Sequence, residues 1–139
     1  SMATVIGIFE DQYSKKKPLT VVKPGSQSRK FTHIDDTINI CYEAWIKNKC
    51  AHYSVYNKKS YSILATAKMF KSKIKFIKAR PGERYASSLA KMSLNNKIIQ
   101  RFGKINLKDY ISSFIKGYKL WKLKVHLNLL KREILTLNL

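Results

Sequence analysis

The chain has 139 residues, enough for one hydrophobic core and too few for two ordinary domains. Its 45% hydrophobic and 12% aromatic content excludes the composition of a disordered segment, so its charge sits on a folded surface. That charge is +20, from 28 Lys plus Arg against 8 Asp plus Glu, and it draws anions such as nucleotides, nucleic acid or acidic headgroups while selecting none of them.

In chain order, Val5 to Tyr13 reads as the end of a helix, which Lys15, Lys16, Lys17 and Pro18 terminate before a β-prone run, Leu19 to Val22. Lys23-Pro24-Gly25 is a turn. The segment from Arg29 to Ile34 is extended and runs into Asp35 and Asp36, which suit a helix N-cap. Ile38, Cys41, Tyr42 and Trp45 then recur at helical spacing and predict one buried face through about Ile46. His52 to Asn57 alternates as a strand does, and a helix starting near Ser60 to Ser62 presents Ile63, Leu64, Ala67 and Phe70. Lys73 to Lys78 predicts another strand and Pro81-Gly82 a turn. The pattern next predicts a helix over about Ser93 to Phe102, closed by Gly103, and a further helix capped by Asn106 that carries Leu107, Tyr110, Ile111 and Phe114 and ends or kinks at Gly117.

Short strands alternating with four to five helices predict a small mixed α/β domain over residues 2–117. Residues 118–139 form a basic terminal helix in which Leu120, Leu123, Leu127, Leu130, Ile134 and Leu137 keep a heptad spacing. Its plain reading is a helix that covers the domain's own core. A homodimer seam and a basic helix lying on a membrane surface are the others.

Signals for chemistry are sparse. Cys41 and Cys50 form neither a CxxC pair nor a metal spacing, and no apolar run reaches membrane-spanning length or the pattern of a signal peptide, which fits a reducing, cytoplasmic setting. The histidines, His33, His52 and His126, belong to no catalytic pattern, and the two Tyr-x-x-x-Lys matches, Tyr13 with Lys17 and Tyr118 with Lys122, are expected by chance in so basic a chain. Glycines at 7, 25, 82, 103 and 117 cannot form GxGxxG or GxxxxGK[ST], so no loop for a dinucleotide or triphosphate exists. Lysines scattered singly, such as Lys47, Lys49, Lys58 and Lys59, read as a solvated face. Arginine is scarcer, and Arg29, Arg80 and Arg84 stand at turns, where a guanidinium fork suits two-point contact with phosphate.

Three segments carry a resemblance. Pro18-Leu19-Thr20-Val21-Val22, then Gly25-x-Gln27-x-Arg29-x-Phe31-Thr32-x-Ile34-Asp35-Asp36, then Ala79-Arg80-Pro81-Gly82-Glu83 resemble the C-terminal half of extended short-chain dehydrogenase/reductases (SDRs), the sugar-nucleotide epimerase and dehydratase family. Tyr56-Asn57 with Ser60-Tyr61-Ser62, and Lys104 to Ile111, extend it over about residues 5–116. The resemblance implies that Arg29 and Arg80 contact the diphosphate of a UDP-, dTDP- or GDP-sugar, that Glu83 binds ribose hydroxyls, and that Phe31 and Asp36 serve as a core side chain and a helix cap. It further implies that NAD and the catalytic Tyr-x-x-x-Lys of the parent enzyme belong to a Rossmann half absent here or supplied by a partner chain, so that this portion has no catalytic, cofactor-binding or metal-binding residue of its own. Lys23-Pro24-Gly25, Lys30 and Phe102-Gly103 depart from the family pattern and mark a divergent branch. The rival reading, a small basic nucleic-acid-binding protein, has the charge in its favour but no recognition motif.

Overall fold

The computed structural model describes residues 4–47, 51–79 and 98–137. In chain order it contains α1 (Val5–Ser14), β1 (Leu19–Val22), β2 (Ser28–Arg29), α2 (Ile34–Lys47), β3 (His52–Tyr56), β4 (Tyr61–Ser62), α3 (Ile63–Met69), β5 (Ile74–Ile77), β6 (Ile98–Phe102) and α4 (Leu107–Leu137). The result is the small mixed α/β domain that the alternating pattern predicts, with four helices among the described residues. The strands pair two by two: β1 with β5 and β3 with β6 in parallel, and β2 with β4 antiparallel.

The core forms where α1, α3 and the start of α4 close over β1. Phe9, Leu19, Val21, Ala67, Phe70, Leu107 and Ile111 are buried together. β1 alternates as a strand with one face in the core does, Leu19 and Val21 buried, Thr20 and Val22 half-buried. Phe9 meets Phe70 edge to face at 5.9 Å, and Tyr13 packs on Phe70 and Phe114, so aromatic contacts tie the helices to one another. Two polar links set the angle of α4 on α1: Tyr110 donates to Glu10 at 2.8 Å and Tyr118 to the Ser14 carbonyl at 2.8 Å. Helix starts follow capping chemistry, with Thr4, Ser62 and Asn106 accepting from the amides of Gly7, Ala65 and Lys108.

Four expectations are corrected. Residues 98–102 form a strand rather than the end of a helix, in register with β3 from His52↔Ile98 to Tyr56↔Phe102. So short an apolar run fits either period, and pairing with β3 decides it. Asp36 does not cap α2. It sits inside the helix's first turn, buried, and its carboxylate accepts from the amides of Lys104 and Ile105, both at 3.0 Å. The stripe Ile38, Cys41, Tyr42 and Trp45 is exposed, Trp45 by 75% and Ile38 by 57%, while Ile40 takes the buried position. Periodicity establishes that a stripe is apolar, not what covers it. Finally, α4 does not end at Gly117 but continues past it as a helix, and its Leu120, Leu123 and Leu127 are exposed rather than laid over the core. The expected turn at Pro81-Gly82 and the helix's first residues, 93–97, lie outside the described residues.

Candidate functional site

Beside the core, a cleft of about 670 Å³ opens between the start of α1, β1, the chain from Gly25 to Thr32, and Ile63 and Ile77. That is the size range of small-ligand sites. Its wall is fixed by local chemistry. Gln12 brackets Thr20, its side-chain amide donating to the Thr20 hydroxyl at 2.8 Å and its carbonyl accepting the Thr20 amide at 3.0 Å, so α1 and β1 are locked together. Gly25 has φ 76°, and a Cβ there would stand 2.8 Å from Val21 Cγ1 and 3.0 Å from Leu64 Cβ, so only glycine turns the chain this tightly against α3. The turn then docks on α3 as Gly25 and Gln27 carbonyls accept from the amides of Leu64 and Ile63.

Arg29, the last residue of β2, stands half-buried in the lining of this cleft, opposite Tyr61 in the β2–β4 pair. One Nη donates to the Ser28 carbonyl at 3.0 Å, which uses one of five guanidinium donors and holds the fork in place. Lys30 and Phe31 follow it along the lining, Val5, Ile8 and Phe9 forming the apolar wall. The cleft therefore offers a cationic rim over an apolar floor, able to hold an anionic head and bury a less polar body. Arg80 and Glu83, with Arg84, lie outside the described residues, so Arg29 is the one predicted site residue whose surroundings are described.

Close by, lysines lie over aromatic faces: Lys30 over Tyr56 at 4.4 Å, Lys58 over Phe102 at 4.6 Å and Lys59 over Tyr61 at 5.3 Å. The sequence reading missed the ion pair that fastens α2 to β6. Arg101 donates from Nε and Nη2 to the Glu43 carboxylate, the shortest contact 2.7 Å, and Lys47 pairs with the same carboxylate. These hydrogen bonds, from Arg101 first and Lys47 second, hold the Glu43 carboxyl down at about 2. Glu43 with Lys47 is legible as an i, i+4 pair, whereas Arg101 is distant in sequence and falls in the segment read as helix.

The two Tyr-x-x-x-Lys matches meet through their tyrosines. Tyr13 and Tyr118 pack ring to ring at 5.6 Å, and the Tyr118 hydroxyl is spent on Ser14. His33 lies against the Tyr110 ring at 5.2 Å, its Nδ1 accepting from the Asp35 amide. Among the described residues no group of His, Cys, Asp and Glu is arranged to hold a metal ion, and no helix is long and apolar enough to cross a membrane. Gly25 is committed to its turn, and Gly103 to a close approach in which a Cβ would meet Asp36 Oδ2 at 2.7 Å. The five glycines of the sequence form no glycine-rich dinucleotide loop.

Compared with solved structures, the chain superposes on UDP-glucuronic acid 4-epimerase from Bacillus cereus in complex with UDP-glucuronic acid and NAD, with a TM-score of 0.61 and 23% identity over 85% of this chain and 40% of that one. The fold is that of the C-terminal portion of an SDR-like epimerase. The same enzyme in complex with NAD gives 0.58 and 20% identity over 83% and 39%, and a mutant of it with UDP-4-deoxy-4-fluoro-glucuronic acid and NAD gives 0.61 and 24% over 85% and 40%. The chain thus spans about 40% of the length of these neighbours, and at such identities the likeness is one of fold. No protein-family model matches the sequence, and no curated protein does.

Proposed function

We propose that this chain is the sugar-nucleotide-binding portion of an NAD-dependent epimerase or dehydratase. The observation that carries the reading is Arg29, hydrogen-bonded to the Ser28 carbonyl at the rim of a ligand-sized cleft, on a fold whose neighbours were solved with UDP-sugars. In this reading Arg29 and Arg80 grip the diphosphate of a UDP-, dTDP- or GDP-sugar by two-point hydrogen bonds, and Glu83 accepts from ribose hydroxyls. The chain binds and orients. NAD and the catalytic tyrosine come from a Rossmann half, in the same or another chain, and the exposed stripe of α2, with Ile38, Tyr42 and Trp45, is the surface on which that half sits. The setting is cytoplasmic.

The nucleic-acid reading loses ground on one point. The Tyr56, Phe102 and Tyr61 rings, which would serve as stacking platforms for bases, are each faced by one of the chain's own lysines.

Calorimetric titration with UDP, dTDP and GDP, at low and moderate salt, tests the proposal. Saturable binding that prefers one base, survives moderate salt and weakens about tenfold or more in Arg29→Ala is expected, since hydrogen bonds to a charged group contribute about 1.5–3 kcal/mol. Equal, weak binding of every anion that fades with salt would contradict it, because that is the behaviour of net charge alone.

A further inference from the structure

Beyond Tyr118, α4 leaves the body of the domain. Every residue from Lys119 to Asn128 is exposed, including Leu120 at 53%, Leu123 at 59%, Leu127 at 55% and Trp121 at 60%. At about 100° per residue, the three leucines fall within an arc of roughly 60° on the side of the helix opposite Leu107, Ile111 and Tyr118, the residues that face the domain. Lys116 lies in line with this stripe, and Lys119 and Lys124 flank it on its two sides. Between Asp109 and Glu133 the sequence holds no carboxylate. On the domain-facing side of the segment Lys16 stands against Lys122, whose ammonium pKa is lowered first by that contact.

An apolar stripe edged on both sides by cations needs a cover that is apolar within and anionic at its surface. A second copy of this helix does not provide that. Paired in parallel along the leucine stripe, Lys119 of one copy would face Lys124 of the other, and each chain carries +20. We propose that the 116–128 segment of α4 docks on an anionic lipid surface, the leucines entering the acyl boundary and the lysine ammoniums reaching the headgroups. The helix then lies in the interface rather than across the bilayer, in keeping with the absence of a spanning helix among the described residues. Adsorption of this kind draws on both buried apolar area and charge, and lysines near an anionic surface each add to it.

Co-sedimentation of the full chain with phosphatidylcholine vesicles, and with vesicles containing about 30% phosphatidylserine, tests this. The expected result is binding to the anionic vesicles at least about tenfold tighter than to the neutral ones. The triple substitution Leu120→Ser, Leu123→Ser, Leu127→Ser, at exposed positions that the fold does not need, should weaken binding about tenfold or more. Three results would overturn the proposal: no binding to anionic vesicles, equal binding by the triple variant, which is adsorption by charge alone, or a lipid-free dimer or an RNA complex that depends on the same leucines.

Discussion

Asp36 shows how much one carboxylate can organise. It is buried, accepts two backbone amides ahead of α4, and leaves no room for a side chain at residue 103. Asp36→Ala should lower stability by about 2–4 kcal/mol in chemical denaturation, since two amides lose a charged acceptor. Gly103→Ala should cost roughly 1–2 kcal/mol by forcing that carboxylate aside. The double variant should cost less than the sum, because alanine at 36 removes the atom that the new methyl meets; strict additivity would show the two residues to be uncoupled. Glu43 belongs to the same scale. Its folded pKa, about 2, lies below the ordinary 4.5, so its contribution to stability is full above pH 4.5 and is lost as pH falls from there through about 2. Glu43→Gln should flatten that part of the stability-against-pH curve; an unchanged acid limb would show that the pair with Arg101 does not stabilise the fold. Neither role is legible in the sequence. The cap-like position of Asp36 and the helical spacing around Glu43 are local signals, and both partners lie far along the chain.

At the scale of elements, what the sequence showed and what it hid divide by a physical rule. α1, β1, α3 and the start of α4 are readable because their turn residues, caps and periodicity agree: Ser62 and Asn106 cap as their residue types suggest, and Phe70 and Ile111 fall on the faces that pack. β6 was hidden, since five residues carry too little period and only β3 makes them a strand. α2 and the far part of α4 show their apolar stripes in sequence without showing that nothing in the described domain covers them. This makes two substitutions informative as a pair. Phe70→Ala, at a fully buried ring, should cost about 3–5 kcal/mol, whereas Trp45→Ser, at a larger but exposed ring, should change stability by no more than about 0.5 kcal/mol. A large loss from Trp45→Ser would mean that α2 packs against the domain through that face after all.

The described residues form a compact core with two exposed apolar stripes and a cleft edged by Arg29. Its resemblance to the C-terminal half of an SDR-like epimerase was readable from the Arg-x-Phe-Thr-x-Ile-Asp-Asp run, and the superposition on UDP-glucuronic acid 4-epimerase agrees with it at the level of fold. The cleft itself was not readable, because its walls come from α1, β1, α3 and β5, brought together only by packing. Arg29 stands out in the sequence for a chemical reason, an arginine at a turn in a chain that otherwise relies on lysine, and it lies in the lining of that cleft. The claim that this residue holds a diphosphate is tested most directly by comparing UDP with UMP on the full chain, in the wild type and in Arg29→Ala. Wild type should bind UDP more tightly than UMP, and that advantage should shrink by about tenfold in the variant, because the fork loses its contact with the extra phosphate. An advantage that survives unchanged in Arg29→Ala, or that is absent from the wild type, would contradict the assignment.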